Sequence, residues 1–324
     1  MIAGVAEVDE ASIDEGVLGA LRPELVRYCY RMIADGAGAE DAAQEVLLRL
    51  WRARESYDPA RASVRTWAYA IASRYCIDLL RAAPRKALPT DLSERNGAGD
   101  QAYAQLRPGS WVTPLPDAGD DPAAAAERHE TIRMAFVAAL QHLTPAQRAV
   151  LVLRDVYRHS AAETASILGI SAAAAHSSLQ RARKVLAGAG PAPSDVPVGE
   201  VDARLLEGFV RAFERHDVAG LAALLAEDVV FSMPPVAFWL RGADDYAALF
   251  GSGDACVGHR LVPTTANGAP AFGQYEPGDE GGMRPFALVV VESDGARITR
   301  VTTCLDQADR FESFGLPARL APSA

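Results

Sequence analysis

The 324-residue sequence has few of the features that mark membrane, secreted or metal-binding proteins. No apolar run reaches the roughly 18 residues needed to span a bilayer. The N-terminus has no charged segment followed by an apolar stretch, which argues against a signal peptide. The four cysteines, Cys29, Cys76, Cys256 and Cys304, lie far apart and form no metal-type pair. Scattered cysteines fit a reducing cytoplasm, and we interpret them as small buried apolar residues.

Signatures of common active sites are also missing. We find no zinc-ligand spacing, no phosphate-cradling glycine loop and no serine nucleophile elbow. The sequence therefore predicts no metal, no cofactor and no enzymatic activity. Lysine is scarce, since Lys86 and Lys184 are the only ones and the other basic residues are arginine. Hydrophobic residues make up 49% of the sequence, which is enough to build buried cores. The length of the chain suits two or three domains.

Charge is distributed unevenly along the chain. The formal net charge of −10 taken alone argues against binding to nucleic acid. Residues 49–86 nevertheless hold nine Arg or Lys against three Asp or Glu, and residues 121–187 hold eight against five. Residues 195–324 hold ten against nineteen. Because attraction to phosphates depends on charge within a Debye length of about 10 Å, the first two segments remain candidates for DNA binding.

Helical periodicity dominates the first 86 residues. An amphipathic stripe begins at Leu18, and after a glycine-rich break a second helix starts near Ala39, with apolar residues on one face and polar residues on the other. Ser63 can cap a third helix, which Pro84 ends. These patterns predict an all-α domain over residues 12–86.

Two linkers and a second all-α domain follow. Turn-forming dipeptides and prolines fill residues 87–121 without a sustained period, which predicts a flexible linker. Residues 122–188 are predicted to be helical, with helix starts at a cap-then-proline signature after Asp121 and again before Pro145. Residues 189–199, rich in Gly, Ala and Pro, are a further linker.

The pattern changes from helical to extended after Val201. An amphipathic helix over 201–216 and a short one over 221–225 come first. Four β-type runs then follow, at residues 228–233, 259–265, 285–291 and 296–305. Helices first and strands later predict an α+β domain over residues 200–324. The fold class is therefore multidomain, two all-α domains followed by an α+β domain.

Two motifs lie in the helical part. An acidic-Xaa-Xaa-Gln-Glu pattern followed by an apolar stretch and Trp runs from Asp41 to Trp51. Further along, Gly169 interrupts an apolar helix and Ser171 can cap the basic helix that follows, as in a helix-turn-helix. Together they resemble regions 2 and 4 of a sigma-70 family factor of the extracytoplasmic-function type. The resemblance covers residues 14–86 and 122–187, nearly half of the chain.

The region-2 resemblance implies two binding surfaces. A polar face would dock on the β′ clamp helices of core RNA polymerase, through Asp41, Gln44, Glu45, Leu48, Arg49 and Arg52. Aromatic residues that stack on unpaired bases, with arginines that hold the backbone, would open the −10 element. This set is Tyr57, Arg61, Arg65, Trp67 and Arg74, with Tyr69 beside them. Simpler interpretations stay open, since Asp41 and Glu45 fit a solvated helix start and Trp67 fits a core aromatic.

The region-4 resemblance implies a reader of the −35 element and a contact with the β flap of the polymerase. The start of the recognition helix would meet base edges and its basic end would hold phosphates. The candidates are Ser171, His176, Ser177, Gln180, Arg181, Arg183 and Lys184. A plain helical hairpin with a solvated basic end is the alternative. The linker before it corresponds in position to the segment that threads toward the polymerase active-site channel.

The C-terminal third resembles a SnoaL-like domain, the cone-shaped fold related to nuclear transport factor 2. The resemblance rests on the opening helix, residues 224–231, the turn at Met233-Pro-Pro, the step at 239–242 into a helix and the late β-runs. It implies a domain that modulates sigma activity. A pocket in this cone could bind a small ligand, and its candidate residues are Trp239, Tyr246, His259 and Asp306. Catalysis, ligand binding without chemistry and a purely protein-contacting role all stay open.

The sequence thus predicts a cytoplasmic sigma factor that directs promoter-specific transcription initiation. Its partners would be core polymerase and promoter DNA, without a membrane. Two alternatives remain. One is a ligand-sensing helix-turn-helix regulator that does not depend on core polymerase, and the other is a SnoaL-like enzyme with appended DNA-binding domains.

Overall fold

The structure is a computed structural model. It describes residues 13–81, 83–100, 104–117, 132–188, 202–254, 256–278 and 281–321. The chain divides into two compact units, one with residues up to Arg85 and from Phe136 to Ala192, the other with Lys86–Ala135 and Pro193–Ala324. Within the described ranges, no helix is both long enough and apolar enough to cross a membrane.

The helices are numbered in chain order. They are α1 (Glu15–Ile33), α2 (Gly36–Ala53), α3 (Val64–Leu80), α4 (Pro89–Leu92), α5 (Met134–Leu140), α6 (Pro145–Leu151), α7 (Ala161–Leu168), α8 (Ala172–Gly188), α9 (Ala203–Glu214), α10 (Val218–Ala222) and α11 (Ala243–Gly251). A short 3-10 turn (Arg54–Ser56) follows α2, and a 3-10 helix (Leu305–Phe314) follows the last strand. A π-helical turn at Val152–Val156 continues α6.

Side-chain caps fix the helix starts of the first unit. Asp35 and Ser63 each accept a hydrogen bond from a backbone N–H in the first turn of α2 and α3. Thr144 and Ser160 form capping boxes at the starts of α6 and α7. The predicted starts after Ser63 and before Pro145 are therefore confirmed. The start predicted after Asp121 lies outside the described residues, as does the linker at 189–199.

A buried arginine joins the N-terminal helices to those from α5 onward. Arg148, 4% exposed, donates to the backbone oxygens of Leu140 at 3.0 Å and Leu143 at 3.2 Å. It also donates to the oxygen of Met32, near the end of α1. Burial lowers the pKa of Arg148 to about 10, so the guanidinium stays charged at neutral pH. Its N–H groups thus supply hydrogen bonds to carbonyls near helix ends, where the helix itself provides no donor.

An aromatic cluster completes this junction. The Tyr157 hydroxyl accepts a hydrogen bond from Arg31 at 2.8 Å, and its ring lies 6.0 Å from that of Tyr28 and 5.0 Å from that of Tyr69, centroid to centroid. Tyr69 donates to the carboxylate of Glu24. Burial raises the pKa of both Tyr69 and Tyr157, so both hydroxyls stay protonated. The two predicted all-α segments therefore share one compact unit.

The second unit is built on one six-stranded sheet in the order β2-β1-β6-β5-β4-β3. The strands are β1 (Leu225–Ser232), β2 (Trp239–Arg241), β3 (Arg260–Ala266), β4 (Ala269–Pro277), β5 (Met283–Ser293) and β6 (Ile298–Cys304). β1 and β6 are parallel, and the other neighbours are antiparallel. Helices α9 to α11 complete the α+β domain, called here the cone. The predicted fold class is confirmed.

Aromatic side chains fill the core of the cone. Phe209 and Phe213 of α9 belong to one buried cluster with Phe231, Phe238 and Phe272 from the sheet side. The ring centroids of Phe209 and Phe272 lie 5.9 Å apart. Such rings bury large apolar areas and dominate the stability of a core. The interior of the cone is therefore packed with side chains.

The described part of the segment predicted to be a flexible linker makes backbone hydrogen bonds to the cone. Residues 86–100 and 104–117, called here the strap, belong to the same unit as the cone. Leu106 N donates to the oxygen of Pro235 at 2.8 Å, and Leu115 N donates to the Asn267 side chain at 2.9 Å. The turn residues of this segment suggested flexibility, whereas the structure buries apolar residues between them, such as Leu106 and Leu115, and pairs backbone groups of the strap with the cone.

The strands were predicted less completely than the helices. All four predicted β-runs overlap strands, but β2 and β4 were not predicted. The short helix expected over 221–225 is α10, which ends at Ala222, and Leu225 already begins β1. Pro270 and Gly273 interrupt the β-type pattern of β4, which pairs with β3 and β5.

We expect Arg148→Met to lower the free energy of unfolding of the helical unit by about 3 kcal/mol, since three buried carbonyls lose a charged donor. Urea unfolding of the full chain, followed by amide exchange in α1 and α6, measures this change. Arg158→Met is the matched control, because the Arg158 side chain is exposed. Equal stability of the two variants would contradict a structural role for Arg148.

Candidate nucleic-acid and protein interfaces

One face of α2 is exposed from Asp41 to Arg52. Asp41, Gln44, Leu48, Trp51 and Arg52 recur at helical spacing and are all exposed. Leu48 is 42% and Trp51 36% exposed, although both are large apolar residues. Two such residues on one polar face indicate a binding surface more than a solvated helix. Trp51 was part of the sequence motif but was not among the predicted binding residues.

Glu45 and Arg49 lie at the edge of this face and contact each other. Arg49 Nε is 2.7 Å from Glu45 Oε1, one helical turn away. The Arg49 guanidinium also lies 4.7 Å from the ring centroid of Tyr75. Arg54 covers the Trp51 ring in the same way, at 4.2 Å. Both arginines therefore contact aromatic rings near the C-terminal end of α2.

The loop after α2 brings two predicted aromatics together. The rings of Tyr57 and Trp67 lie 5.3 Å apart, and both are half-buried. The Tyr57 hydroxyl donates to the oxygen of Ala62, which ties the loop to the start of α3. Trp67 is thus neither a fully buried core residue nor a free surface residue. It is positioned by a neighbouring ring.

The predicted arginines of this region are exposed, but Tyr69 is not. Arg61, Arg65 and Arg74 all point to solvent, and Arg65 also lies 3.2 Å from the Glu24 carboxylate. Tyr69 is 2% exposed and forms part of the junction around Tyr157. Tyr69 therefore does not belong to this surface in the described state.

The helix-turn-helix has the predicted local geometry. The capping box of Ser160 and Glu163 begins α7, and this hydrogen bond lowers the pKa of the Glu163 carboxyl. Gly169 ends α7 in the left-handed region, with φ of 65°. Ser171 Oγ accepts from Ala174 N at 3.1 Å and so caps α8. The predicted roles of Gly169 and Ser171 in the turn are confirmed.

The two faces of α8 are clearly separated. Ala175, Ser178, Leu179 and Ala182 are buried. On the opposite face lies an exposed row made of Ala173, Ser177, Gln180 and Lys184, flanked by His176 and Arg181. The first turn is exposed as well and consists of alanines. This face offers few hydrogen-bonding groups at its start and the exposed cations Arg181 and Lys184 toward its end.

Arg183, predicted to contact phosphate, is exposed but forms an ion pair with a carboxylate of the same chain. Its Nε and Nη2 donate to the two carboxylate oxygens of Asp155 at 3.0 and 2.7 Å. This bidentate pair raises the pKa of the Arg183 guanidinium. Arg183 therefore braces α8 against the π-helical turn, unlike Arg181 and Lys184.

The four predicted residues of the cone pocket have four separate environments. The Trp239 indole donates to the oxygen of Ser93, and the Asp306 carboxylate accepts from Trp111 at 2.8 Å. The Tyr246 ring stacks on Phe231 at 4.8 Å. His259 is buried beside Gln274, with 2.8 Å between their side-chain nitrogens, and burial lowers its pKa. They do not form one site.

A groove of about 560 Å³ lies elsewhere on the cone, between α9 and strands β3 and β4. Leu206, Val210 and Phe272 supply apolar walls, and exposed charged residues such as Glu207 and Arg211 stand beside them. None of the predicted pocket residues lines it. In the described part of the chain, no cluster of His, Cys, Asp or Glu could hold a metal ion.

Comparison with known families matches all three parts of the chain. Sigma-70 region 2 matches residues 18–86, and Sigma-70 region 4 matches residues 133–186. A SnoaL-like domain matches residues 206–301. The α2 face and the helix-turn-helix lie within the first two segments and the cone contains the third. This combination defines a sigma factor with a C-terminal SnoaL-like domain.

Two relatives show which sigma factors this chain resembles over most of its length. The ECF RNA polymerase sigma factor SigG of Mycobacterium tuberculosis is 38% identical over 312 residues, which is 92% of this chain and 82% of the relative. SigJ of the same organism is 33% identical over 238 residues, 69% of this chain and 68% of the relative. The crystal structure of SigJ shares the fold, with a TM-score of 0.58 and 24% identity over 94% of this chain and 100% of that one.

This chain belongs to the extracytoplasmic-function sigma factors of RNA polymerase, which direct promoter-specific transcription initiation. The predicted family and function are confirmed. The expectation that the chain is not an enzyme is confirmed by the same relationship, because a sigma factor selects promoters and the polymerase carries out the chemistry.

We expect Gly169→Ala to lower the free energy of unfolding of the helical unit by about 1 kcal/mol. An added Cβ meets nothing within 4 Å, so the cost comes from the left-handed backbone alone. Gly169→Asn should lower the free energy of unfolding by less, because Asn tolerates the left-handed conformation. Urea unfolding with amide exchange in α7 and α8 measures both variants. Identical stability of the Ala variant and the parent chain would contradict this account of the turn.

Proposed function

We propose that the exposed face of α2 is the surface through which this sigma factor binds core RNA polymerase, at the clamp helices of β′. The observation that carries the proposal is the exposure of Leu48 and Trp51 on a face that is otherwise polar. An aromatic and a leucine surrounded by charged residues resemble the centre and rim of a protein interface. Helix α2 is capped at its start and packed on α1 and α3, so this face is rigid.

We propose that residues 54–74 open and read the −10 element. The paired rings of Tyr57 and Trp67 offer a stacking surface for an unpaired base. Exposed Arg61 and Arg74 stand on the same loop and helix and can hold the displaced backbone. Arg65 would first have to break its ion pair with Glu24 before it could contact DNA.

We propose that α8 reads the −35 element in the major groove. Ser177 and Gln180 lie on its exposed row and His176 beside it, within reach of base edges. Arg181 and Lys184 supply phosphate contacts, and region 4 would meet the β flap of the polymerase. Such a protein acts in the cytoplasm, where core polymerase and promoter DNA meet. The cone would modulate its activity.

Reading both elements at once requires the helical unit to open. The −10 and −35 elements are named for their positions, so they lie about 25 base pairs apart, which is roughly 85 Å of B-form DNA. In the described state α7 packs against both α3 and α8, so one helix separates the two readers. Packed helices lie about 10 Å apart, which places α3 and α8 roughly 20 Å from each other. The junction around Arg148 and Tyr157 would therefore separate on the promoter.

We expect Leu48→Asp to weaken binding to core polymerase at least about tenfold, because a carboxylate replaces an apolar contact at the centre of the interface. Leu79→Asp is the matched control, since Leu79 is equally exposed, at 44%, but lies on α3. Co-purification with core polymerase and run-off transcription on promoters from the source genome measure the effect. Failure of the parent chain to bind core would instead favour a helix-turn-helix regulator that acts without polymerase.

We expect Arg181→Ala to reduce the salt dependence of DNA binding by about one unit of slope, because one phosphate contact is lost. Arg183→Ala should change this slope less, since Asp155 already neutralises that guanidinium. Binding of a −35 duplex by the core-bound sigma factor, measured from 50 to 200 mM salt, compares the two. Equal changes in slope would show that the pair with Asp155 opens on DNA.

A further inference from the structure

Glu24 of α1 contacts two residues of α3 that have different roles. Its side chain is 23% exposed, and its Oε2 lies 3.2 Å from Arg65 Nε. Its Oε1 accepts a hydrogen bond from the Tyr69 hydroxyl. Arg65 and Tyr69 lie one turn apart on α3, so a single carboxylate reaches both of them. Glu24 therefore holds a proposed DNA contact with one oxygen and a buried residue of the helical junction with the other.

Glu24 and Tyr69 also contact the segment that matches Sigma-70 region 4. The Tyr157 hydroxyl donates to the backbone oxygen of Glu24 at 3.4 Å. The Tyr69 ring lies 5.0 Å from the ring of Tyr157 and 5.4 Å from that of His159, centroid to centroid. Tyr157 and His159 both belong to region 4. The surroundings of Glu24 are thus completed by region 4 in the described state.

A carboxylate and a DNA phosphate present the same chemistry to an arginine. Both offer anionic oxygens to the N–H groups of the guanidinium. The Arg65 side chain is 62% exposed, so a phosphate can approach it. While Glu24 neutralises the guanidinium, however, Arg65 contributes less to the attraction of the DNA backbone. Glu24 therefore competes with phosphate for Arg65.

Removal of Arg65 by DNA would leave Glu24 in an unfavourable position. A carboxylate that is mostly buried loses free energy when its ion-pair partner departs. Water can hydrate this carboxylate once Tyr157 withdraws together with region 4. Binding of DNA by Arg65 and separation of region 4 should therefore favour each other, and such coupling is reciprocal.

We propose that Glu24 competes with −10 DNA for Arg65, and that this competition couples −10 binding to the separation of region 4 from region 2. A chain whose two DNA readers have not separated keeps Arg65 on Glu24 and holds the displaced strand less tightly. The inference rests on the proposed function, because it requires Arg65 to contact the backbone of the −10 strand.

The test compares variants of the full chain in their binding to dye-labelled oligothymidine, since phosphate contacts carry no sequence information. Glu24→Gln removes the negative charge but keeps a side-chain oxygen that can accept from Tyr69. Arg65→Gln removes the DNA contact itself. Asp78→Asn is the matched control, because Asp78 pairs with Arg81 on the same face of the chain's third helix without contacting Arg65.

We expect Glu24→Gln to bind oligothymidine roughly threefold more tightly than the parent chain, the effect of one partly exposed ion pair. The salt dependence of binding should steepen by about 0.7 units of slope, because one phosphate contact on a single strand is gained. Arg65→Gln should weaken binding, and adding Glu24→Gln to it should restore nothing. Asp78→Asn, which changes the net charge equally, should strengthen binding less. Fluorescence anisotropy at increasing salt measures all of these quantities.

The coupling to region 4 is tested with Tyr157→Phe. This variant keeps the ring but removes the hydroxyl contacts with Arg31 and Glu24. We expect it to strengthen oligothymidine binding in the parent chain but not in the chain that already carries Glu24→Gln. Tyr275→Phe is the control, because the Tyr275 hydroxyl donates to a backbone oxygen within the cone.

Four results would overturn the inference. Equal affinities of Glu24→Gln and the parent chain, with Arg65→Gln weaker than both, would remove the competition but leave the proposed DNA contact intact. A gain from Glu24→Gln that persists in the Arg65→Gln chain would show an effect of general charge. Equal gains from Tyr157→Phe with and without Glu24→Gln would remove the coupling. If Arg65→Gln bound as tightly as the parent chain, the proposed −10 contact of Arg65 would itself fail.

Discussion

The helical unit depends on a positive charge buried among backbone carbonyls. Arg148 donates to the backbone oxygens of Leu140, Leu143 and Met32. Tyr157 and Arg31 add a second polar contact nearby. Water can hydrogen-bond to all of these groups once the helices separate. Such a junction therefore favours one packing of the helices but can still open. An apolar junction of the same size would resist opening more strongly. The chemistry of this contact therefore suits the proposed separation of the two DNA readers.

The helices were predictable because their signals are local. Ser63, Ser160 and Gly169 act within one turn of the backbone they cap, so their roles follow from the residues beside them. β4 was missed because Pro270 and Gly273 interrupt its β-type pattern, although Asn267-Gly268 is a strong hairpin signal and could have revealed it. The strap was misjudged for a related reason. Its prolines and turn residues resemble those of a flexible linker, and only the presence of the cone satisfies its backbone.

The candidate surfaces were likewise predictable only where the signal is local in the sequence. The exposed row of α8 and the polar face of α2 follow from helical periodicity, and the structure leaves both in solvent. Arg183 and Tyr69 differ, because each has a partner far away in the sequence that no periodicity indicates. The four residues assigned to a cone pocket were chosen by chemical type. Residue type alone could not show that aromatic rings fill the interior or that Trp239 and Asp306 hold the strap.

The alanines at the start of α8 have a consequence for the information that this sigma factor can extract from DNA. Ala172, Ala173 and Ala174 are exposed where a recognition helix first meets the bases. A methyl group can contact the methyl of thymine, but it has no donor or acceptor with which to tell one base edge from another. Most of the selectivity at this end must then come from the shape of the DNA and from a few polar side chains. A single substitution in this turn would add a hydrogen bond where none exists, so promoter preference could diverge between relatives by very few changes.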